Sequence, residues 1–556
     1  MIEAELIEWL EVGLRTAAPD LGLDPDALPA PEVTATRQKE HGDFATNVAL
    51  ALAGRAGRPP REVAEAIVAA LPEAPFVERV EVAGPGFINL FTTEDWLHDV
   101  VRRILAEGPA FGRGAPSGER VQVEFVSANP TGPLTIGHAR NAAIGDTLAR
   151  LLAFAGHEVE REFYFNDAGG QMDRFGASVE ARYLQALGQD ATVPEDGYHG
   201  DYVTAYAADI LATEGPGLAD LPPEERFLRM RTEGAERAMA GMRATLARFG
   251  IVFDTYVSEA SLARKGEIGQ AIERLTAAGA TFEAEGALWF RSTDHGDDKD
   301  RVLIRSNGQH TYFAADCAYV IDKFGRGFDH LLYVWGADHH GDVVRVTAAT
   351  TVLGYDPARL ELLLYQFVTF LRGGEPVKMS KRAGTFVTLD QLMDEVGADA
   401  ARFHLLLFSN DHAMNFDIVE VARATMDNPV YYVQYAHARI ASILRAAAEA
   451  GLHPDPGADL ALLTHEAELD LARALAGVPG VIAKAAELRA PHRLTHAAQD
   501  LAARCHRFYT ESRVLTDDPA LGRARLALAA AAKQTLAILL DLVGVSAPER
   551  MDRDDG

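Results

Sequence analysis

The chain has 556 residues, 48% of them apolar, which exceeds one hydrophobic core and predicts several domains. Its 81 acidic and 53 basic side chains leave a formal charge of −28, which excludes indiscriminate nucleic-acid binding but not an RNA met by local arginine clusters. Two distant cysteines, Cys317 and Cys505, exclude a disulfide framework and a zinc set, and no run of eighteen apolar residues marks a membrane span.

The N-terminal segment MIEAELIEWLEVGLR is acidic and amphipathic, unlike a secretory signal, so a cytoplasmic protein is expected. Helices are predicted over 2–17 and 43–54, and a third follows Pro59-Pro60, since proline suits a first helical turn. Strands are predicted at Val77–Val82 and Phe87–Thr92, around the turn Gly84-Pro85-Gly86. Phe87 and Asn89 alternate with Ile88 and share one face. Residues 1–112 thus read as an α+β module, closed by the linker Arg113-Gly114-Ala115-Pro116-Ser117-Gly118.

A nucleotide-type unit follows. The run Val121–Val126 reads as a strand, Ser127–Pro133 as a loop, and Gly137–Phe154 as a helix. The unpaired amides of such a helix start favour anions. Thr135-Ile136-Gly137-His138 sits there: Gly137 lets a nucleotide approach the backbone, and His138 can donate to a phosphate oxygen. Taken alone, a satisfied histidine at a helix start explains the pattern equally well. A second strand, Val159–Phe165, ends at the polar turn Asn166–Gly170. Residues 113–190 form the first half of the unit, and 191–287, with helices such as Glu224–Phe249, an inserted domain.

Parallel α/β order is predicted to resume over 288–390. Val302–Arg305 and Leu331–Trp335 read as strands, and Phe313–Phe324 and His340–Val352 as helices. Thr388-Leu389-Asp390-Gln391 fits a capping box. Just before it stands Lys378-Met379-Ser380-Lys381-Arg382, glycine-flanked and holding two of the chain's eight lysines. From 391 to 556 only helices are predicted, over 398–410, 417–448, 458–487, 491–515 and 518–543, with a polar tail at Met551–Gly556. The fold class is therefore α/β. A Rossmann-type doubly wound parallel sheet carries an inserted domain, an N-terminal α+β module and a C-terminal all-α bundle.

The TIGH and KMSKR stretches together resemble the paired nucleotide-binding motifs of class I aminoacyl-tRNA synthetases. The likeness narrows to the arginyl-tRNA synthetase family. Glu124-Phe125-Val126-Ser127-Ala128-Asn129 resembles its strand-end motif, and Tyr312 and Asp316 its arginine-pocket pair. Trp335–Gly341 stands at a further amino-acid contact, GPGFIN resembles a tRNA-elbow module, and NPVYYVQYAHARI resembles an anticodon-binding bundle. The resemblance implies arginine activation with ATP, accompanied by Mg²⁺, and transfer of arginine to tRNA, by a monomer without zinc or other structural metal. Implied ATP contacts are Thr135, Gly137, His138, Lys378, Met379, Ser380 and Lys381, with Thr135, His138, Lys378 and Lys381 catalytic. Implied arginine contacts are Glu124, Ser127, Asn129, Tyr312, Asp316, Asp338 and His339. Implied tRNA contacts are Phe87, Asn89, Tyr431, Tyr432 and Tyr435.

The chemistry agrees. A guanidinium is planar, always charged, and matched by a bidentate carboxylate such as Asp316. Tyr312 lies one helical turn before it, where a hydroxyl or ring face can meet the same cation. Two departures stand out: Thr135 replaces the family's usual first histidine, and its pocket glutamine falls near Asp338 or His339. One rival is a class I synthetase for another amino acid, against which Glu124, Tyr312 and Asp316 argue; Thr135 supports another, a catalytically silent synthetase-like tRNA-binding or regulatory protein. The intact KMSKR stretch argues against it.

Overall fold

A computed structural model describes residues 2–36, 39–377 and 386–551. Lys378, Met379, Ser380 and Lys381 lie outside the described residues. The chain divides into two units. One comprises Met1–Phe111 with 439–478 and 503–535; the other comprises Gly112–Ala438 with 479–502 and 536–556. Among the described residues no helix is long and apolar enough to cross a membrane.

The first unit contains an antiparallel four-stranded sheet in the order Thr34–Ala35, Phe44–Thr46, Phe87–Thr92, Val77–Ala83. The predicted helix over 43–54 is shorter, Val48–Ala56, because Phe44–Thr46 pairs instead with Ile88–Leu90. Sheet pairing overrides local helix propensity there. The hairpin turn needs glycine at Gly86 (φ 144°), where a Cβ would meet the Pro60 backbone at 2.8 Å.

The second unit is built on a five-stranded parallel sheet. Its strands are β1 (Arg120–Glu124), β2 (Glu158–Phe165), β3 (Thr255–Ser258), β4 (His330–Gly336) and β5 (Leu360–Tyr365). They run in the order β3-β2-β1-β4-β5, so the winding reverses between β1 and β4. Ligands of such sheets bind at the carboxyl ends of the strands beside this reversal. The helices that matter are α1 (Ala139–Phe154), α2 (Gly170–Ala186), α3 (Tyr312–Gly325) and α4 (His340–Val352).

The helix α1 is fixed against the sheet at several points. Gly145 lies where a Cβ would meet the Phe125 ring carbons at 2.2 Å, so only glycine allows this approach. Near its start, the buried Arg140 donates to the carbonyls of Gln366 (2.7 Å), His412 (2.8 Å) and Ser409 (2.9 Å). In its middle, the buried Asp146 accepts from Arg402 (2.6 Å), Arg150 (2.7 Å) and Arg161 (3.2 Å). Burial alone would raise the Asp146 carboxyl, but these arginines hold it below the usual carboxylate range.

Several expectations are corrected. The strand predicted to Val126 ends at Glu124, because Val126 and Ser127 turn to φ 65° and 42°. The stretch 191–287 contributes β3 to the edge of the parallel sheet, paired with Glu162–Phe165. Ala287–Phe290 and Arg301–Ile304 join Thr281–Ala284 in an antiparallel three-stranded sheet, so parallel order resumes only at β4. The helical stretch after 391 includes one short strand, Met414–Asp417, paired parallel to Val368–Arg372. The helix predicted over 417–448 breaks in two, Ile418–Val421 and Pro429–Glu449. Between them the Asn428 amide holds the Val421 and Arg423 carbonyls.

Candidate active site at the strand reversal

Three segments converge at the carboxyl ends of β1 and β4: the loop after β1, the start of α1, and one face of α3. Glu124 ends β1 beside Tyr333 of β4. Val126 and Ser127 are in left-handed backbone, which is strained for the β-branched Val126. Asn141 of α1 holds that turn. Its carbonyl oxygen accepts the Val126 N–H, and its amide donates to the Val334 carbonyl at 2.7 Å. One buried side chain thus ties β1, β4 and α1 together at the reversal.

A cavity of about 240 Å³ opens here, lined among others by Ser127, Asn129, Thr135, His138, Gln171 and Phe386. Asn129 accepts from the Asn166 N–H (3.1 Å) and donates to Gln171 (2.7 Å), so both arms of its amide are fixed. Thr135 caps the short turn Ile136–His138, and its N–H donates to His138 Nδ1 at 3.1 Å. The Thr135 hydroxyl lies 3.2 Å from the same nitrogen. An accepting Nδ1 puts the proton of the neutral imidazole on Nε2. The threonine is only 6% exposed. It lines the cavity with its hydroxyl against the His138 ring.

The same loop is stitched to the segment that follows KMSKR. The Ile136 N–H donates to the Val387 carbonyl (3.1 Å), and the Leu389 N–H to the Leu134 carbonyl (2.9 Å). Thr388 and Gln391 form the predicted reciprocal capping box. The chain leaving the lysine-rich stretch is thereby fixed beside the TIGH turn.

An acidic cluster surrounds Asp316. Thr311 caps α3. One stripe of that helix then carries Tyr312, Asp316, Tyr319 and Lys323 at helical spacing. Tyr312 is 63% exposed, whereas Lys323 is fully buried. Burial, then the nearby Asp342, Glu259 and Glu124 carboxylates, push Asp316 up to about 7 against the opposing Arg345. Glu259, itself raised by burial, accepts the Tyr164 hydroxyl at 2.8 Å. Asp342 is held low by His339, whose Nδ1 lies 2.8 Å away, and by Arg345 at 2.7 Å. That hydrogen bond raises His339 in turn. Asp338 is exposed, 3.8 Å from His339.

Two sequence-read residues sit differently from expectation. Glu124 is 4% exposed and forms a buried ion pair with Lys323, so it is not an open acceptor. Asn89 is 4% exposed inside its sheet, while Phe87 beside it is 42% exposed. Tyr431 and Tyr435 stack on one helix face, ring centroids 6.2 Å apart. Sequence reading missed Arg140, Asn141, Tyr164, Glu259, Lys323 and Asp342. Lys323 was recoverable, since it falls seven residues after Asp316 on the stripe already found. Glu259 was not, because β3, which it directly follows, arrives from a stretch read as an insertion.

Three family models cover the chain. The model described as "tRNA synthetases class I (R), catalytic domain" matches residues 100–440, which places the parallel sheet and its cavity in the class I synthetases. The "Arginyl tRNA synthetase N terminal domain" matches 8–92, and the "DALR anticodon binding domain" matches 433–551. The chain is 50% identical over 530 residues to the arginine–tRNA ligase of Moorella thermoacetica, covering 95% of each. It is 47% identical to that of Heliobacterium modesticaldum, covering 99% of this chain and 98% of the relative. Its fold matches the Thermus thermophilus arginyl-tRNA synthetase with a TM-score of 0.78 at 26% identity, covering 99% of this chain and 100% of that one. The chain belongs to the arginyl-tRNA synthetase family. It activates arginine with ATP and charges tRNA in protein synthesis.

Proposed function

We propose that arginine is read by the acidic cluster on α3, with its guanidinium against Asp316 and its α-carboxylate turned toward the TIGH turn. The observation that supports this most is the Asp316 carboxyl, crowded by Glu259, Asp342 and Glu124 and raised to about 7. Arg345, His339 and Lys323 are engaged by Asp342 and Glu124, and among the described residues Asp316 forms no ion pair of its own. A guanidinium supplies one and donates in a planar fork. Tyr312 covers the mouth, Ser127 and Asn129 line the approach, and Asp338 and His339 take the place of the family's glutamine contact. Lysine and apolar residues leave the cluster unpaired, which disfavours them strongly without an editing step.

ATP, brought as its Mg²⁺ complex, would lie along Thr135, Gly137 and His138. The His138 Nε2–H donates to a phosphate oxygen. The arginine carboxylate attacks the α-phosphorus and pyrophosphate leaves, giving arginyl-adenylate. Lys378 and Lys381, with Met379 and Ser380 between them, neutralise the charge growing on the leaving group. The terminal adenosine of tRNA then takes the arginyl group and AMP departs. Positioning and electrostatics carry the rate, with little covalent work for the protein.

The remaining assignments follow the same reading. Residues 1–112 serve as the tRNA-contacting module, with Phe87 outermost and Asn89 beneath it. Residues 113–190 and 288–390 form the catalytic halves around the insertion 191–287. Residues 391–556 read the anticodon, with Tyr431, Tyr432 and Tyr435 on the face offered to unstacked bases. The protein acts as a cytoplasmic monomer.

Thr135→Ala is expected to lower pyrophosphate exchange about tenfold or less, because one neutral hydrogen bond of about 0.5–1.5 kcal/mol is lost. His138→Ala is expected to cost clearly more, since it removes the phosphate donor itself. Side-by-side exchange assays with tRNA present check the order. Equal losses would give Thr135 a direct phosphate role. The reading as a whole is tested by exchange with each amino acid in the presence of tRNA. Exchange with arginine and not with lysine is expected. No exchange with any amino acid would favour the silent tRNA-binding protein.

A further inference from the structure

The ion pair beneath the pocket carries a role that neither TIGH, KMSKR nor the acidic cluster supplies. Lys323 is fully buried on α3, with its ammonium bonded to Glu124 and 3.6 Å from Glu162. It also lies over the rings of Tyr319 (4.2 Å) and Tyr333 (3.7 Å). Burying an ammonium is costly unless paired, so this site is built around its two carboxylates. Those two are served unequally. Glu162 also accepts from Arg326 (2.6 Å), Gln122 (3.0 Å) and the Tyr319 hydroxyl. Glu124 has Lys323 on one oxygen and the Ser127 hydroxyl, at 3.0 Å, on the other.

Ser127 is the link to the cavity. Its hydroxyl donates to Glu124 and accepts the Tyr164 N–H at 3.2 Å, while its backbone is held at φ 42°. It then forms part of the cavity wall. A chain of contacts therefore runs from a buried lysine, through a carboxylate, to a strained wall residue.

We propose that Lys323 is a positioning residue for arginine recognition, keeping Glu124 ionised so that Glu124 fixes Ser127 on the wall of the cavity, along the approach to Asp316. This rests on the assignment of arginine to the Asp316 pocket. The charged and titratable groups around Glu124 are Glu162 and Tyr164 from β2, Tyr319, Asp316, Lys323 and Arg326 from α3 and the residue after it, and Tyr333 from β4. Burial already holds Glu124 above the usual carboxylate range, with Lys323 the main opposing influence. Without the ammonium, the main influence opposing burial is lost and Glu124 is pushed further toward its protonated form, because Arg326 serves Glu162. A protonated carboxyl is a weaker acceptor for the Ser127 hydroxyl than a carboxylate, so the anchor of the wall is weakened. Raising the pH removes that proton and restores the contact.

The test compares Lys323→Met, Lys323→Arg and Asp316→Asn in the full chain, by pyrophosphate exchange with tRNA, from about pH 6.5 to 9. For Lys323→Met the arginine KM is expected to rise about tenfold at pH 7 and to recover as Glu124 re-ionises at higher pH, with the ATP KM little changed. Lys323→Arg keeps the charge and is expected to keep the wild-type pH profile. Should the methionine variant fail to fold, the double variant Lys323→Met/Glu162→Gln removes one charge of each sign. The same pH-sensitive arginine defect is expected from it. A defect that is equal at every pH, or shared by ATP, would reduce Lys323 to a packing residue and overturn the proposal. So would an unchanged arginine KM while Asp316→Asn is impaired. An unimpaired Asp316→Asn would instead overturn the pocket assignment itself.

Discussion

Asp316→Asn is expected to raise the arginine KM about a hundredfold, leaving the ATP KM near wild type. Removing one partner of a buried charge pair costs about 3–5 kcal/mol, and the half-buried Asp316 belongs at the lower end, near two decades. The wild type has a pH signature that the asparagine variant lacks. In the unliganded protein the carboxyl titrates at about 7, so it is partly protonated at neutral pH. A guanidinium binds the ionised form. Arginine affinity is therefore expected to fall as pH drops through about 7 and to level off above it, with protons released on binding near neutrality. The sign for stability is opposite. The folded state keeps a proton that the unfolded chain releases above its ordinary carboxylate pKa. The unliganded fold thus loses stability from this group as pH rises from about 4 to 7, and bound arginine offsets the loss. Arginine KM measured across pH for both proteins checks this. A normal KM in the folded variant would return Asp316 to an ordinary helix face.

Arg402→Met is expected to be the most destabilising of the substitutions considered, by about 3 kcal/mol, through orphaned buried groups. Arg402 is fully buried and donates to Asp146 (2.6 Å) and to the carbonyls of Phe249 (3.0 Å) and Val543 (3.0 Å). Gly544, at φ 67°, lies where a Cβ would meet this guanidinium at 2.1 Å, so the backbone wraps it closely. Asp146 keeps Arg150 and Arg161 in the variant, which limits the loss. Because Asp146 pins the helix whose first turn presents His138, heat is expected to abolish exchange several degrees earlier. Thermal inactivation of exchange, compared with the melting of the whole chain, checks this. A midpoint within about a degree of wild type would mean that α1 does not depend on the network.

The sequence made the scaffold of the site legible because its signals are local. A β-branched run, a Pro/Gly loop and an uninterrupted helical period placed β1, the TIGH turn and α1 within a few residues of their observed bounds. The spacing of Tyr312 and Asp316 put both on one face of α3. What escaped depends on long-range pairing. Glu259 reaches Asp316 only because β3 joins the sheet beside β2, and nothing in four residues of strand announces that partner. The ion pair of Glu124 with Lys323 spans 199 positions, so Glu124 looked like an open acceptor until α3 was seen to lie against β1. The burial of Asn89 escaped for a related reason: alternation gives a face, but which face is covered depends on the strands at its sides.

The central claim is that arginine's side chain is read at the cluster around Asp316. A crystal structure of the protein with arginine bound tests it most directly. The account expects both terminal guanidinium nitrogens at charge-assisted hydrogen-bond distance, about 2.7–2.9 Å, from the Asp316 carboxylate, with the α-carboxylate toward His138. A guanidinium seated away from Asp316, with the cluster contacted only by protein, would contradict it.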